Sequence, residues 1–258
     1  MAVSRAVKRF VEKAGANRDV PVEVVPNFFD PSGARAAIGA PRPACVPVEG
    51  PYVLFVGALN AFKGVHLLID LWRRRRPAAE LVLLGNRRAD TPDPASLPPG
   101  VRMTVDVAHS DVMAAFANCE MAVSPSLGPD ACPTTVLEAM ALAKPVIGTD
   151  IGGIPDLVVH GRTGIIVPPR DGDAVGDAVE ALLTSPALAA SYGRAGEAHA
   201  ENFTVGAVAD RLEGVYARAI ARRRAGGREP RPSRSPDRAE AARPGSAPET
   251  SASAASVT

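Results

Sequence analysis

Residues 124–169 gather the side chains and turns best suited to hold an anion and hydroxyl groups together. Asp130 stands eight positions before Glu138, and between them Pro133-Thr134-Thr135 reads as a helix start, proline being tolerated in a first turn. A buried-type strand over 145–148 follows, then a Gly152-Gly153 turn that opens another short helix. Backbone N–H groups at a helix start take a phosphate, and carboxylates accept from hydroxyls. A ligand carrying both suits this stretch. Upstream, Lys63 lies in a loop bounded by Gly57 and Gly64, without the G-x-x-x-x-G-K-[ST] pattern of a P-loop. A glycosidase pair is disfavoured: eight residues across a loop-to-helix junction do not set two carboxylates ~5–9 Å apart about one bond. Cys45, Cys119 and Cys132 show no metal-ligand spacing, and the four histidines are scattered, so no metal site is expected.

These groups need a scaffold. The apolar run 52–56 has the composition of a strand covered on both faces, and 81–84, 101–104, 120–124, 145–148 and 163–167 read as further strands. Helical spacing falls at 2–16, 65–72, 110–118 (with Ser110 as N-cap), from Pro133, and from Asp171, Pro186 and Thr204. Residues 22–25 read as a short strand and the Pro, Gly and Ala-rich segment 30–50 as a connecting loop. Strands alternating with helices indicate an α/β fold, a Rossmann-like doubly wound parallel sheet. Such sheets hold ligands at the carboxyl ends of their strands, where the loops 57–64, 105–109 and 124–132 fall.

The formal net charge of +1 over 258 residues hides an asymmetry. Residues 221–258 carry 8 Arg against 4 acids, leaving a mildly acidic body of 21 basic and 24 acidic residues. The tail, rich in Arg, Pro, Ser and Ala with Val257 as its one large aliphatic residue, is expected to be disordered. An acidic body argues against nucleic-acid binding. Three cysteines with no apolar leader point to reduced thiols in a cytoplasmic chain; the basic tail reads as a solvated segment, with contact to an anionic membrane or an acidic partner as the alternative. No run is long enough to span a bilayer.

The pieces V-G-A-L-N-A-F-K-G-V-H-L-L-I, P-S-L-G-P-D-A-C-P-T-T-V-L-E-A-M-A, K-P-V-I-G-T-D-I-G-G-I-P-D-L-V and H-G-R-T-G-I-I-V-P-P-R-D together resemble, in order and spacing, the C-terminal donor-binding half of a retaining glycosyltransferase of family 4 with the GT-B fold. The likeness covers roughly residues 2–220. It implies a hexosyltransferase-type enzyme using a nucleotide diphosphate sugar as donor substrate, without cofactor or metal. It implies that Lys63 neutralises the diphosphate and that Asp130 lies beside the donor sugar and reacting carbon. Glu138 would hold the ribose hydroxyls, Thr134 and Thr135 offer backbone N–H groups to the diphosphate, Val107 meets the nucleobase by its backbone, and Gly57 borders the donor. Two positions depart from the family pattern: Ala58 replaces an arginine, and Asp130 replaces a glutamate. Residues 1–30 resemble the last helix before the interdomain linker and the segment after it, with 31–220 the donor domain and 221–258 the tail. The expectation is a truncated enzyme, poorly active alone, that needs a separate acceptor-binding domain or self-associates. A non-catalytic module binding nucleotide sugar or a partner chain is the alternative, and a GT-B epimerase a weaker third reading.

Overall fold

The computed structural model describes residues 1–15 and 20–225. Met1–Tyr216 form one compact unit, and the described residues 217–225 fall outside it. Six strands, β1 (Tyr52–Leu59), β2 (Glu80–Arg87), β3 (Val101–Val105), β4 (Met121–Ser124), β5 (Val146–Thr149) and β6 (Gly164–Val167), form one parallel sheet. Their order is β3-β2-β1-β4-β5-β6. The order reverses between β1 and β4, so a crevice opens at the carboxyl ends of those two strands. The helices are α1 (Arg5–Lys13), α2 (Pro31–Ala37), α3 (Val65–Arg75), α4 (His109–Asn118), α5 (Thr134–Ala141), α6 (Ile154–Leu157), α7 (Gly172–Thr184), α8 (Pro186–Ala200) and α9 (Val205–Ala225).

Both sheet faces are covered, which is why the strands read as unbroken apolar runs. Tyr52 and Leu54 of β1 with Val82 and Leu84 of β2 face α2, α4 and α5. Val53 and Phe55 with Leu81 and Leu83 face α3 and α7. The fully buried Tyr52 donates its hydroxyl to the Ala115 carbonyl (2.6 Å), and Trp72 donates its indole N–H to the Ala79 carbonyl (2.9 Å). Each large side chain thus buries its body without leaving a polar tip unpaired.

Several boundaries differ from the sequence expectations. The segment 30–50 contains α2, a seven-residue helix built on Asp30 as N-cap and Pro31 at the first turn. The Asp30 carboxylate accepts from the Ser32 N–H at 2.9 Å. Helix α3 continues past Trp72 to Arg75, and its arginines reach α7: Arg74 pairs with Asp173 at 3.1 Å and Arg75 with Asp177 at 2.6 Å. Strand β2 runs through Gly85 to Arg87, in register with β1 to Leu59. Ser110 is not a cap; Ala108 holds that position, with no side-chain cap. Residues 22–25 contribute one parallel bridge, between Ala2 and Val24. Residues 221–225 complete α9, and the expected disordered tail otherwise lies outside the described residues. No described helix is long and apolar enough to cross a membrane.

Candidate functional site

Two loops make the site, one from each side of the reversal. The first joins β1 to α3. The Asn60 side-chain oxygen accepts from the Lys63 N–H at 3.0 Å, so Asn60 shapes the turn that presents Lys63. Asp90 braces the same turn from outside by accepting from the Ala61 N–H at 2.8 Å. Gly64 closes it at φ 82°, and a Cβ there would lie 2.1 Å from the Pro125 carbonyl oxygen. Only a residue without a side chain lets the two loops come this close.

The second loop joins β4 to α5. Its Leu127 N–H donates to the Phe62 carbonyl at 2.8 Å, tying it to the first loop. Thr149 at the end of β5 donates its hydroxyl to the Ser126 carbonyl at 2.8 Å, and Asn27 donates its amide to the Cys132 carbonyl at 2.9 Å. The Gly152-Gly153 turn backs the loop from below. A Cβ on Gly152 would fall 2.2 Å from the Asp130 carbonyl oxygen, and the Gly153 N–H donates to that oxygen at 2.6 Å. The Gly-Gly pair is thus a packing device that fixes the backbone of Asp130. Helix α1 is anchored to the same turn: Arg5 pairs through its side chain with Asp156 of α6, at 2.6 Å.

With both loops fixed, Lys63 and Asp130 meet. The Lys63 ammonium donates to Asp130 Oδ2 in an ion pair whose side chains retain 26 % and 13 % of their exposure. Helix α5 starts three residues after Ala131, with Thr134 and Thr135 as its first two residues and no side-chain cap at Pro133. Its leading N–H groups lack intrahelical acceptors. A small cavity beside Thr135 and Ser124 is lined mainly by core side chains, among them Leu54, Phe116, Val136 and Val146. Glu138, one turn further along, is partly buried; burial pushes its carboxyl above the ordinary carboxylate value, and the nearby His109 pulls it back down.

The structure therefore brings Lys63, Asp130, Thr134, Thr135 and Glu138 to the carboxyl edge around β1 and β4. Gly57 and Ala58 lie inside β1 rather than in the loop after it, paired with Gly85 and Asn86 of β2. Val107 lies in the loop that leads from β3 to α4. Its side chain packs against the core, leaving the backbone of that loop as its polar contribution. His109 was not singled out from the sequence as a site residue. It opens α4 beside Gly33 of α2, and nothing in its local sequence marks its approach to Glu138. Among the described residues no three His, Cys, Asp or Glu side chains are grouped to hold a metal ion. A cation, a helix N-terminus and two carboxylates can bind a ligand combining phosphate with hydroxyls.

Residues 50–185 match the family described as Glycosyl transferases group 1. The D-inositol 3-phosphate glycosyltransferase of Corynebacterium diphtheriae is 28% identical over 225 residues, covering 78% of this chain and 51% of that protein. The alpha-D-kanosaminyltransferase of Streptomyces kanamyceticus is 32% identical over 183 residues, covering 65% and 46%. The chain thus spans about half the length of these curated relatives. Among solved structures, Anabaena HepE in complex with UDP superposes with a TM-score of 0.73 at 21% identity, covering 84% of this chain and 62% of that one. The C-terminal domain of a group 1 glycosyl transferase (LpcC) from Francisella tularensis gives 0.55 at 18%, covering 69% of this chain and 96% of that domain. The fold is shared with these glycosyltransferases, and by the match over residues 50–185 the chain belongs to the Glycosyl transferases group 1 family.

Proposed function

We propose that residues 31–220 are the donor-binding half of a retaining, family 4 hexosyltransferase, and that residues 1–30 are its interdomain segment. The donor is a nucleotide diphosphate sugar. The observation that carries this reading is the convergence of Lys63, Asp130 and the uncapped start of α5 at the reversal between β1 and β4. Binding of UDP by Anabaena HepE, which shares the fold, supports it.

Breaking a glycosyl–phosphate bond leaves developing negative charge on the departing diphosphate. Lys63 and the N–H groups of Thr134 and Thr135 stabilise that charge, the helix dipole adding up to about 1–2 kcal/mol. Glu138 accepts from the two ribose hydroxyls, and the backbone at Val107 meets the base. Gly57 keeps the strand end low beside the donor. Asp130 lies by the sugar and its reacting carbon. Retention follows if the acceptor approaches the face that the diphosphate leaves, through an oxocarbenium-like state, the leaving phosphate taking the acceptor's proton. No metal is required, and the acceptor is held by a separate domain.

Calorimetric titration with UDP, GDP and ADP tests the assignment. One nucleotide should bind saturably, and Glu138→Ala should weaken it more than tenfold; equal affinity in the mutant would remove the site. Ala58 favours a second reading, a non-catalytic nucleotide-sugar module, because that position supplies no second cation. Sugar transfer on adding a separate acceptor-domain protein supports the enzyme; binding without transfer supports the module.

A further inference from the structure

Within the site the cation already carries an anion. The Lys63 ammonium is paired with Asp130. Both partners are held by their own loops rather than by each other. Asn60 and Gly64 set the turn of Lys63, while Gly153 and the close approach of Gly152 fix the backbone of Asp130. The carboxylate therefore stays within reach of Lys63 by default.

Resting on the donor-site reading above, we propose that Asp130 is a built-in competitor for the diphosphate, so that donor binding is an exchange at the Lys63 ammonium. The incoming phosphate takes over the hydrogen bond that Asp130 held. Asp130 is released toward the sugar only when a donor has displaced it. This gives Asp130 two roles: it masks the cation before a donor binds and faces the sugar once one has. A partly buried ion pair resists screening by salt more than an exposed one does, so the mask persists at physiological ionic strength. Affinity for the diphosphate is lower than the cation and the helix start alone would allow.

Asp130→Asn keeps the side-chain size and removes the competing charge. Calorimetry with inorganic pyrophosphate and with UDP, GDP and ADP should show the variant binding pyrophosphate and one nucleoside diphosphate about tenfold more tightly than the parent chain. Asp130→Ala should do the same, and serves if the asparagine variant fails to fold. Lys63→Met should weaken both ligands, and adding Asp130→Asn to it should then change nothing. Equal or weaker binding in the Asp130 variants overturns the exchange while leaving the donor site standing, provided that the parent chain binds and Glu138→Ala does not. Absence of binding in every variant overturns both.

Discussion

At the residue scale, Glu138 carries a conflict between stability and ligand. Burial gives its folded carboxyl a higher proton affinity than in the unfolded chain, eased by His109 when that ring is charged. Folding therefore takes up a proton at acid pH. That contribution is full below the ordinary carboxylate value and is lost as pH rises through the raised folded value. At neutral pH the ionised side chain subtracts from stability. Glu138→Gln should raise the melting temperature at pH 7, with the gain fading near pH 4, while nucleotide affinity falls. An unchanged or lower melting temperature at pH 7 would contradict the buried-charge account. The identity of Glu138 was legible in the sequence through its spacing from Asp130. Its approach to His109 was not, because the two meet only through the packing of α4 against α5 and α2. The Lys63–Asp130 pair was equally hidden: two residues 67 positions apart, in loops brought together by tertiary contacts such as that of Gly64 with Pro125.

At the element scale, the strands were legible and the short helices less so. A strand segment covered on both faces must be apolar, and 52–55 of β1, 81–84 of β2 and 121–123 of β4 are. Helix α2 has only seven residues, with its definition coming from Asp30 and Pro31 rather than from a repeating apolar face. Its composition therefore reads as a loop. The β1–α3 turn depends on Gly64 more than on any side chain. Gly64→Ala places a Cβ into the Pro125 carbonyl and forces an L-residue to φ 82°. A loss of roughly 1–3 kcal/mol is expected in denaturant unfolding, by analogy with other strained backbone positions, together with weakened nucleotide binding. An alanine variant of parental stability would mean that the two loops are not held in contact.

At the scale of the whole molecule, β1 sits between two sets of neighbours. With α3 and β2 it forms a unit of nearby sequence, whereas its pairing to β4 joins Val53 to Met121, far along the chain. Contacts between distant segments form more slowly than local ones. Lys63 belongs to the first set and Asp130 to the second. The order β3-β2-β1-β4-β5-β6 therefore makes the ligand site a clock for folding. In stopped-flow refolding, burial of Trp72, which lies on α3, should precede recovery of binding to a fluorescent nucleoside diphosphate of the kind that titrates the native chain. Binding that returned together with the earliest tryptophan change would place the β1–β4 pairing at the start of folding instead.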